Sequence, residues 1–271
     1  MSEEKSYVIG THDAEIERLG EQHRVWRGSV LDLWRQGGIT SGQTVLDVGA
    51  GPGYAALDLA EIVGAEGKVI AIERSHRFLG ALASFAAARG VGNIEGVEAD
   101  LLDYEWPREV ADRAWCRWVL AFVSDPAKAL RGIARALKPG GKLLLQEYYD
   151  YGSWHMAPRS EAFEAYIAKI VAKWRTSGGD SDVGLALPHL LPEAGFEIES
   201  IRPVVFVARM NDFAANWPMD FARQYIPVMA SGGDLTAAEA ESLTALLARY
   251  EADPKAFVIT PGVLQIVARK L

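Results

Sequence analysis

The chain has 271 residues, 49% hydrophobic and 24% charged, enough for one large α/β domain with elaborations and unlike a disordered polymer. Its net charge of -8, with no run of Lys or Arg, excludes grip on a phosphate backbone by bulk electrostatics, so no nucleic-acid partner is expected. A single cysteine, Cys116, excludes an internal disulfide and a cysteine-based zinc cluster. The opening MSEEKSYVIG is acidic and polar where a secretory signal is basic and then apolar. No apolar stretch reaches the roughly 18–20 residues that cross a bilayer, and a cytoplasmic location is expected.

From 13 to 34, Ile16, Leu19, Trp26, Val30, Leu33 and Trp34 recur at helical spacing, with His23 on the same stripe, Asp13 as a candidate cap and Gly37-Gly38 as a terminator. An alternation follows. TVLDVG (44–49) predicts a strand, YAALDLAEIVG a helix, KVIAIER (68–74) a strand and SHRFLGALASFAAARG a helix. NIEGVEAD (93–100) predicts a third strand, ADRAWCRWVLAF (111–122) contains a fourth, SDPAKALRGIARALKPGG is a helix with its terminator, and KLLLQEYY (142–149) is a fifth strand. Strands alternating with helices predict a mostly parallel sheet covered on both faces. Two stretches break the rhythm, 150–182 with one helix from Ser160 to Trp174, and 211–256, helical with Pro218 and Pro227 interrupting it. Between them lie a helix (GLALPHLLPEAG) and a strand (IRPVVFVARM), and GVLQIVARK closes a seven-stranded sheet.

The most informative segment is VLDVGAGPGYAALDLA (45–60), a strand that bends through Gly49-Ala50-Gly51-Pro52-Gly53 into a helix. Glycine suits such a bend because the backbone turns sharply and a ligand can approach where no Cβ stands. GPGYAA also satisfies the dinucleotide fingerprint G-x-G-x-x-A, so the turn alone leaves an NAD-dependent oxidoreductase open, as well as a turn that holds no ligand. The neighbours narrow this. Glu73 ends the second strand, where a carboxylate can accept ribose hydroxyls, and Asp100-Leu101 ends the third, where one can accept an adenine amino group and a leucine can cover the ring. With Asp47 these acids stand at three successive strand ends and suit a ligand bearing an ammonium and a sulfonium better than one bearing a pyrophosphate.

VLDVGAGPG, VIAIERS, GVEADLLD, ADRAWCRWVLAFVSDP and LKPGGKLLLQEY, in this order over 44–149, resemble the class I S-adenosylmethionine-dependent methyltransferases of the small-molecule type, the branch of the ubiquinone and menaquinone C-methyltransferases. GGDSDVGLALPHLLPEAGFE resembles the same branch. The resemblance implies a Rossmann-like α/β fold: a seven-stranded mostly parallel sheet with helices on both faces, an N-terminal helical lid (1–40), a cofactor-binding core (41–149), cap insertions (150–182 and 211–256) and remaining core elements (183–210 and 257–271), together one methyltransferase domain. It implies S-adenosyl-L-methionine as cofactor and S-adenosyl-L-homocysteine as product. Cofactor contacts follow at Gly49, Ala50, Gly51 and Gly53, with Glu73 on the ribose, Arg74 beside it, Asp100 and Leu101 at the adenine, and Arg117 on the methionine side. Gln22 and Trp26 would close over the cofactor. Position 50 is alanine where relatives often carry cysteine, an exchange of one small residue for another.

Methyl transfer from a sulfonium is an in-line displacement, and the expected acceptor is a small apolar or aromatic metabolite. Only an acceptor that must lose a proton needs a base. Candidates are His155, after the fifth strand, with Tyr148 and Tyr149 at its end and His12 and His23 in the N-terminal cap. Most aromatics of the insertions fill the core there, and Tyr148, Trp154 and Tyr225 are the candidates for a substrate pocket. CRWVLAF stands where methyltransferases of nucleobase amines carry an Asn/Asp-Pro-Pro-aromatic motif, a further mark against nucleic acid. No His, Asp or Glu spacing predicts a metal. A module that binds S-adenosylmethionine without transferring its methyl stays open at this point, and the sequence says nothing of oligomeric state.

Overall fold

A computed structural model describes residues 10–271; the first nine residues of the acidic opening segment lie outside the described residues. In chain order the elements begin with α1 (Asp13–Gly37), β1 (Thr44–Val48), α2 (Tyr54–Val63), β2 (Lys68–Glu73), α3 (His76–Arg89), β3 (Ile94–Glu98) and β4 (Ala111–Arg117). Then come α4 (Pro126–Ala136), β5 (Leu137–Asp150), β6 (His155–Ala157), α5 (Glu161–Thr176), α6 (Leu187–Glu193), β7 (Phe196–Val204) and β8 (Val207–Arg209). The chain ends with α7 (Asn216–Ser231), α8 (Ala237–Ala252), β9 (Phe257–Ile259) and β10 (Gly262–Lys270). Among the described residues, no helix is long and apolar enough to cross a membrane.

The chain forms two compact units. One gathers Arg27–Tyr149, Gly178–Pro203 and Val263–Leu271. It is built on a seven-stranded sheet in the order β3-β2-β1-β4-β5-β10-β7. β1 pairs in parallel with β2 and with β4, β2 with β3, and β4 with β5, so the order reverses between β1 and β4. Val45, Leu46 and Val48 of β1 and Ala114, Trp115 and Cys116 of β4 are buried, as expected for central strands covered on both faces. Trp34 of α1 stands edge-on to Trp115 at 5.5 Å between ring centroids. Ser75 caps α3 and Asp125 caps α4 through side-chain bonds to the amides of Phe78 and Lys128, satisfying donors that the helices leave open. β10 is fixed by a buried glutamine: Gln265 donates to Gln146 at 2.8 Å and to Ser29 Oγ at 2.9 Å, and accepts from Arg202 at 2.8 Å.

The other unit gathers Met1–Trp26, Asp150–Ser177 and Val204–Gly262. Its helices α5, α7 and α8 accompany a three-stranded antiparallel sheet, β6-β9-β8. That sheet is absent from the sequence reading, because strands of three residues are too short to show a period of two. Trp154 lies edge-on to Tyr151 and Phe163, and Phe221 packs on Tyr225.

Several expectations are corrected. The strand expected over 201–210 is two strands: β7 starts at Phe196 in the large sheet, and β8 joins the small one. Pro218 and Pro227 do not interrupt α7. Pro218 falls in the first turn, where an amide has no intrahelical partner to lose. The KPGG terminator of α4 is the start of β5, with a register irregularity opposite β4 between Ala111 and Arg113. α1 begins at Asp13 itself, and the His12 imidazole just before it accepts the Glu15 amide at 3.2 Å.

Candidate active site

The turn from β1 into α2 is left-handed at Gly49, Gly51 and Gly53, with φ of 69°, 55° and 87°. A Cβ on Gly49 would stand 2.3 Å from Val119 Cγ2, and one on Gly53 would stand 2.2 Å from Leu82 Cδ1. One on Gly51 would meet nothing within 4 Å. Gly49 and Gly53 are therefore demanded by the protein's own packing. Gly51 combines a conformation that favours glycine with an open approach, which is the cradle a ligand needs.

The amides of the turn decide between ligand classes. Gly49 and Ala50 donate to the Ile72 carbonyl at 2.8 and 3.0 Å, Gly53 donates to the Ala50 carbonyl at 3.1 Å, and Gly51 donates to Glu73 Oε2 at 2.9 Å. Pro52 has no amide hydrogen. A pyrophosphate cradle works by donating such amides to phosphate oxygens. Here all four are spent inside the protein, one of them on a carboxylate.

Glu73 is 2% exposed, and its other oxygen accepts the Ser75 amide at 2.9 Å. A carboxylate oxygen carries more than one lone pair, the chemistry that accepts hydroxyl protons. Asp47, at the end of β1, is also 2% exposed, and its Oδ2 has no hydrogen-bond partner among the described residues. Burial pushes its pKa up to about 7, with Arg117 pulling down, Glu73 pushing up and the Ala56 amide pulling down. A buried carboxylate with one oxygen unbonded, beside an open glycine, fits a cationic ligand and repels an anionic one. The residues present thus fit S-adenosylmethionine, which carries an ammonium and a sulfonium.

Arg117 ends β4. Burial lowers its pKa to about 10 against the opposing field of Asp47, so the guanidinium stays charged at neutral pH. Its Cζ lies 5.1 Å from the ring centroid of Trp118, which stacks on Tyr148 at 5.3 Å with an interplanar angle of 12°. Trp118 has a φ of 52°, a left-handed conformation that costs a bulky residue about 1–3 kcal/mol and persists only where its surroundings enforce it. At the third strand, β3 stops at Glu98 and not at Asp100 as expected. Asp100 is half-buried in the turn beyond, its Oδ1 accepting the Leu102 amide at 3.0 Å, and Leu101 is buried with its carbonyl bonded to Trp106 Nε1. Arg74 is half-buried directly after Glu73.

The sheet unit therefore brings Gly49, Ala50, Gly51, Gly53, Glu73, Arg74, Asp100, Leu101, Arg117 and Tyr148 to the carboxyl ends of β1 to β5, around the point where strand order reverses and open α/β sheets bind ligands. Gln22, Trp26, Trp154, His155 and Tyr225 belong to the other unit. There Gln22 Oε1 accepts from Trp217 Nε1 at 3.0 Å and from Arg18 at 3.2 Å. The Trp26 ring lies 4.6 Å from Phe206 and 4.9 Å from Trp217. Trp154 and Tyr225 are buried, and burial pushes the Tyr225 hydroxyl up to about 12. His155 Nδ1 lies 3.5 Å from Glu164, which also pairs with Arg159 at 3.1 Å. The sequence reading missed Trp118, whose backbone conformation leaves no trace in residue order. It also missed Glu147, although an acid inside the apolar run LLLQEYY was a visible sign of a buried carboxylate with assigned partners.

The family described as a methyltransferase domain matches residues 39–181. A ubiquinone/menaquinone biosynthesis C-methyltransferase of Vibrio campbellii is 31% identical over 190 residues, which span 66% of this chain and 72% of that protein. Among solved structures, a protein assigned as a methyltransferase from Bacillus halodurans has a TM-score of 0.61 at 21% identity, over 90% of this chain and 99% of that one. A phosphoethanolamine N-methyltransferase of Haemonchus contortus, solved with S-adenosyl-L-methionine, has a TM-score of 0.58 at 20% identity, over 90% of this chain and 52% of that one. The two structural likenesses show the shared fold. By its matched domain and its curated relatives, this chain belongs to the S-adenosylmethionine-dependent methyltransferases.

Proposed function

We propose that this enzyme methylates a ring carbon of a small, planar, apolar acceptor of the quinol or phenol class. The observation that carries this reading is the Trp118–Tyr148 pair beside Arg117 at the ends of β4 and β5. A flat aromatic wall suits a planar ring, and a nearby fixed guanidinium favours the ionised hydroxyl from which the ring carbon draws its electrons: the hydroxyl proton goes to a base, the ortho carbon takes the methyl as the sulfonium leaves as a neutral thioether, and loss of the ring C–H proton restores the aromatic ring. The similarity to a C-methyltransferase of quinone biosynthesis supports the same choice.

The methyl group arrives already activated on the sulfonium of bound S-adenosylmethionine. The protein's own work is placement. In this reading, Gly51 leaves room for the cofactor, Glu73 accepts its ribose hydroxyls, Asp100 and Leu101 hold the adenine, and Asp47 and Arg117 supply opposite charges at its amino-acid end. Orientation of this kind is worth about 7–11 kcal/mol of barrier. Gln22 and Trp26 as cofactor contacts, and Trp154 and Tyr225 as pocket residues, remain part of the proposal, with His155 as the candidate base.

The test is transfer of labelled methyl from S-adenosylmethionine to a panel of quinols, catechols, simple phenols and amines, with the product position read by mass spectrometry and NMR. A ring C-methyl product from a quinol or phenol is expected. Methyl groups found only on nitrogen or oxygen would remove the assignment.

A further inference from the structure

The loop after β4 carries a left-handed tryptophan and touches the glycine turn, and one carboxylate holds it. Glu147, on β5, is fully buried. Its Oε1 accepts the amides of Val119 and Leu120 at 2.8 and 2.9 Å. Among the described residues its Oε2 has no hydrogen-bond partner, so the bonds of this carboxylate all go into the corner. The corner is pinned on two further sides, by the Trp118 amide on the Gln146 carbonyl at 3.0 Å and by the Asp180 amide on the Ala121 carbonyl at 2.9 Å. Burial pushes Glu147 up to about 8 while the amides of the corner pull it down.

What the corner touches gives the carboxylate its importance. Val119 occupies the space that a side chain on Gly49 would need, so the Val119 methyls back the first glycine of the cofactor turn. Trp118, one residue earlier, stacks on Tyr148, the neighbour of Glu147 in β5. A shift at Val119 moves the backing of the turn, and a change of backbone at Trp118 turns the indole off Tyr148.

We propose that Glu147 is a positioning residue: by accepting the Val119 and Leu120 amides, it holds the left-handed Trp118 corner against Gly49, fixing both the backing of the cofactor turn and the Trp118–Tyr148 wall. The part of the wall in acceptor binding rests on the function proposed above, whereas the hold on Gly49 stands without it.

Three variants test this, with amide hydrogen exchange at Val119 and Leu120 and the calorimetric affinity for S-adenosylhomocysteine as readouts. E147A removes the acceptor, and E147Q keeps an oxygen in place but no charge. E147D keeps a carboxyl group and withdraws its oxygens by one methylene. In E147A both amides should exchange at least about tenfold faster and affinity should fall about tenfold, while E147Q stays within about threefold of the unaltered protein on both, since an amide oxygen still accepts two hydrogen bonds. If E147A does not fold, E147D takes its place and should be impaired relative to E147Q. Unchanged exchange and affinity in E147A, or E147Q as impaired as E147A or E147D, would overturn the proposal. Should the unaltered protein itself bind no S-adenosylhomocysteine, the cofactor reading fails, and the exchange rates still judge the hold on the corner.

Discussion

At position 47 the protein keeps a carboxylate where burial disfavours its charge, which ties folding to pH. The folded pKa of Asp47 is about 7 against an ordinary 3.8, with burial the main cause. Between those values the folded state holds a proton that the unfolded state has released, so this residue's contribution to stability falls as pH rises from about 4 to 7 and then levels off. Three units set a ceiling of about 4 kcal/mol on the loss. Asp47→Asn should flatten the fall, and urea unfolding from pH 5 to 8 should show the variant about 1–3 kcal/mol less sensitive to pH than the unaltered protein. A slope unchanged by the substitution would mean that Asp47 is solvated. Its place before the turn was evident from VLDVGAGPG. That one of its oxygens has no partner among the described residues was not, because that depends on which groups the neighbouring strands bring to it.

Among the elements, those with strong local patterns form where their sequences predict. The strand expected over 44–49 is β1 at Thr44–Val48, and the last strand, GVLQIVARK, is β10 without change. Elsewhere tertiary contacts override a local rule. IRPVVFVARM looks like one apolar strand, but β7 and β8 pair in different sheets, so the run breaks after Val204. α7 runs through Pro227 because burial of Trp217, Met219, Ala222, Tyr225, Ile226 and Met229 outweighs one missing amide. α8 instead relies on its N-terminus. There Thr236 Oγ1 accepts the Glu239 amide, and the Glu239 carboxylate accepts the Thr236 amide at 2.7 Å. Thr236→Ala should lower stability by about 1 kcal/mol. Urea denaturation checks this as a lower midpoint with an unchanged slope, and an unchanged midpoint would show that packing alone holds α8.

At the scale of the whole molecule, ligand binding should be visible as added stability. A ligand present at about 100 times its Kd adds about 2.7 kcal/mol. For a chain of this size that raises Tm by about 5–10 °C. S-adenosylhomocysteine should produce such a rise in a thermal scan, and NAD should produce none, because the amides that would hold a pyrophosphate are already bonded within the protein. Glu73→Ala should remove most of the rise, since unpaired hydroxyls cost about 1–3 kcal/mol of binding. A full rise in that variant would take Glu73 out of the ribose site.

The residue order alone determined the alternation of strands and helices, the glycine turn and the acids beside it, because each is written in a short contiguous segment whose spacing follows from backbone geometry. It also carried enough family resemblance to name the chemistry. Only the tertiary structure decided which of the turn's glycines is open to a ligand, that every amide of the turn is already bonded, and that Glu147 holds Trp118 in a left-handed corner. Those are facts about groups tens of residues apart in the chain. Residue order fixes what such groups are, and strand pairing fixes which of them meet.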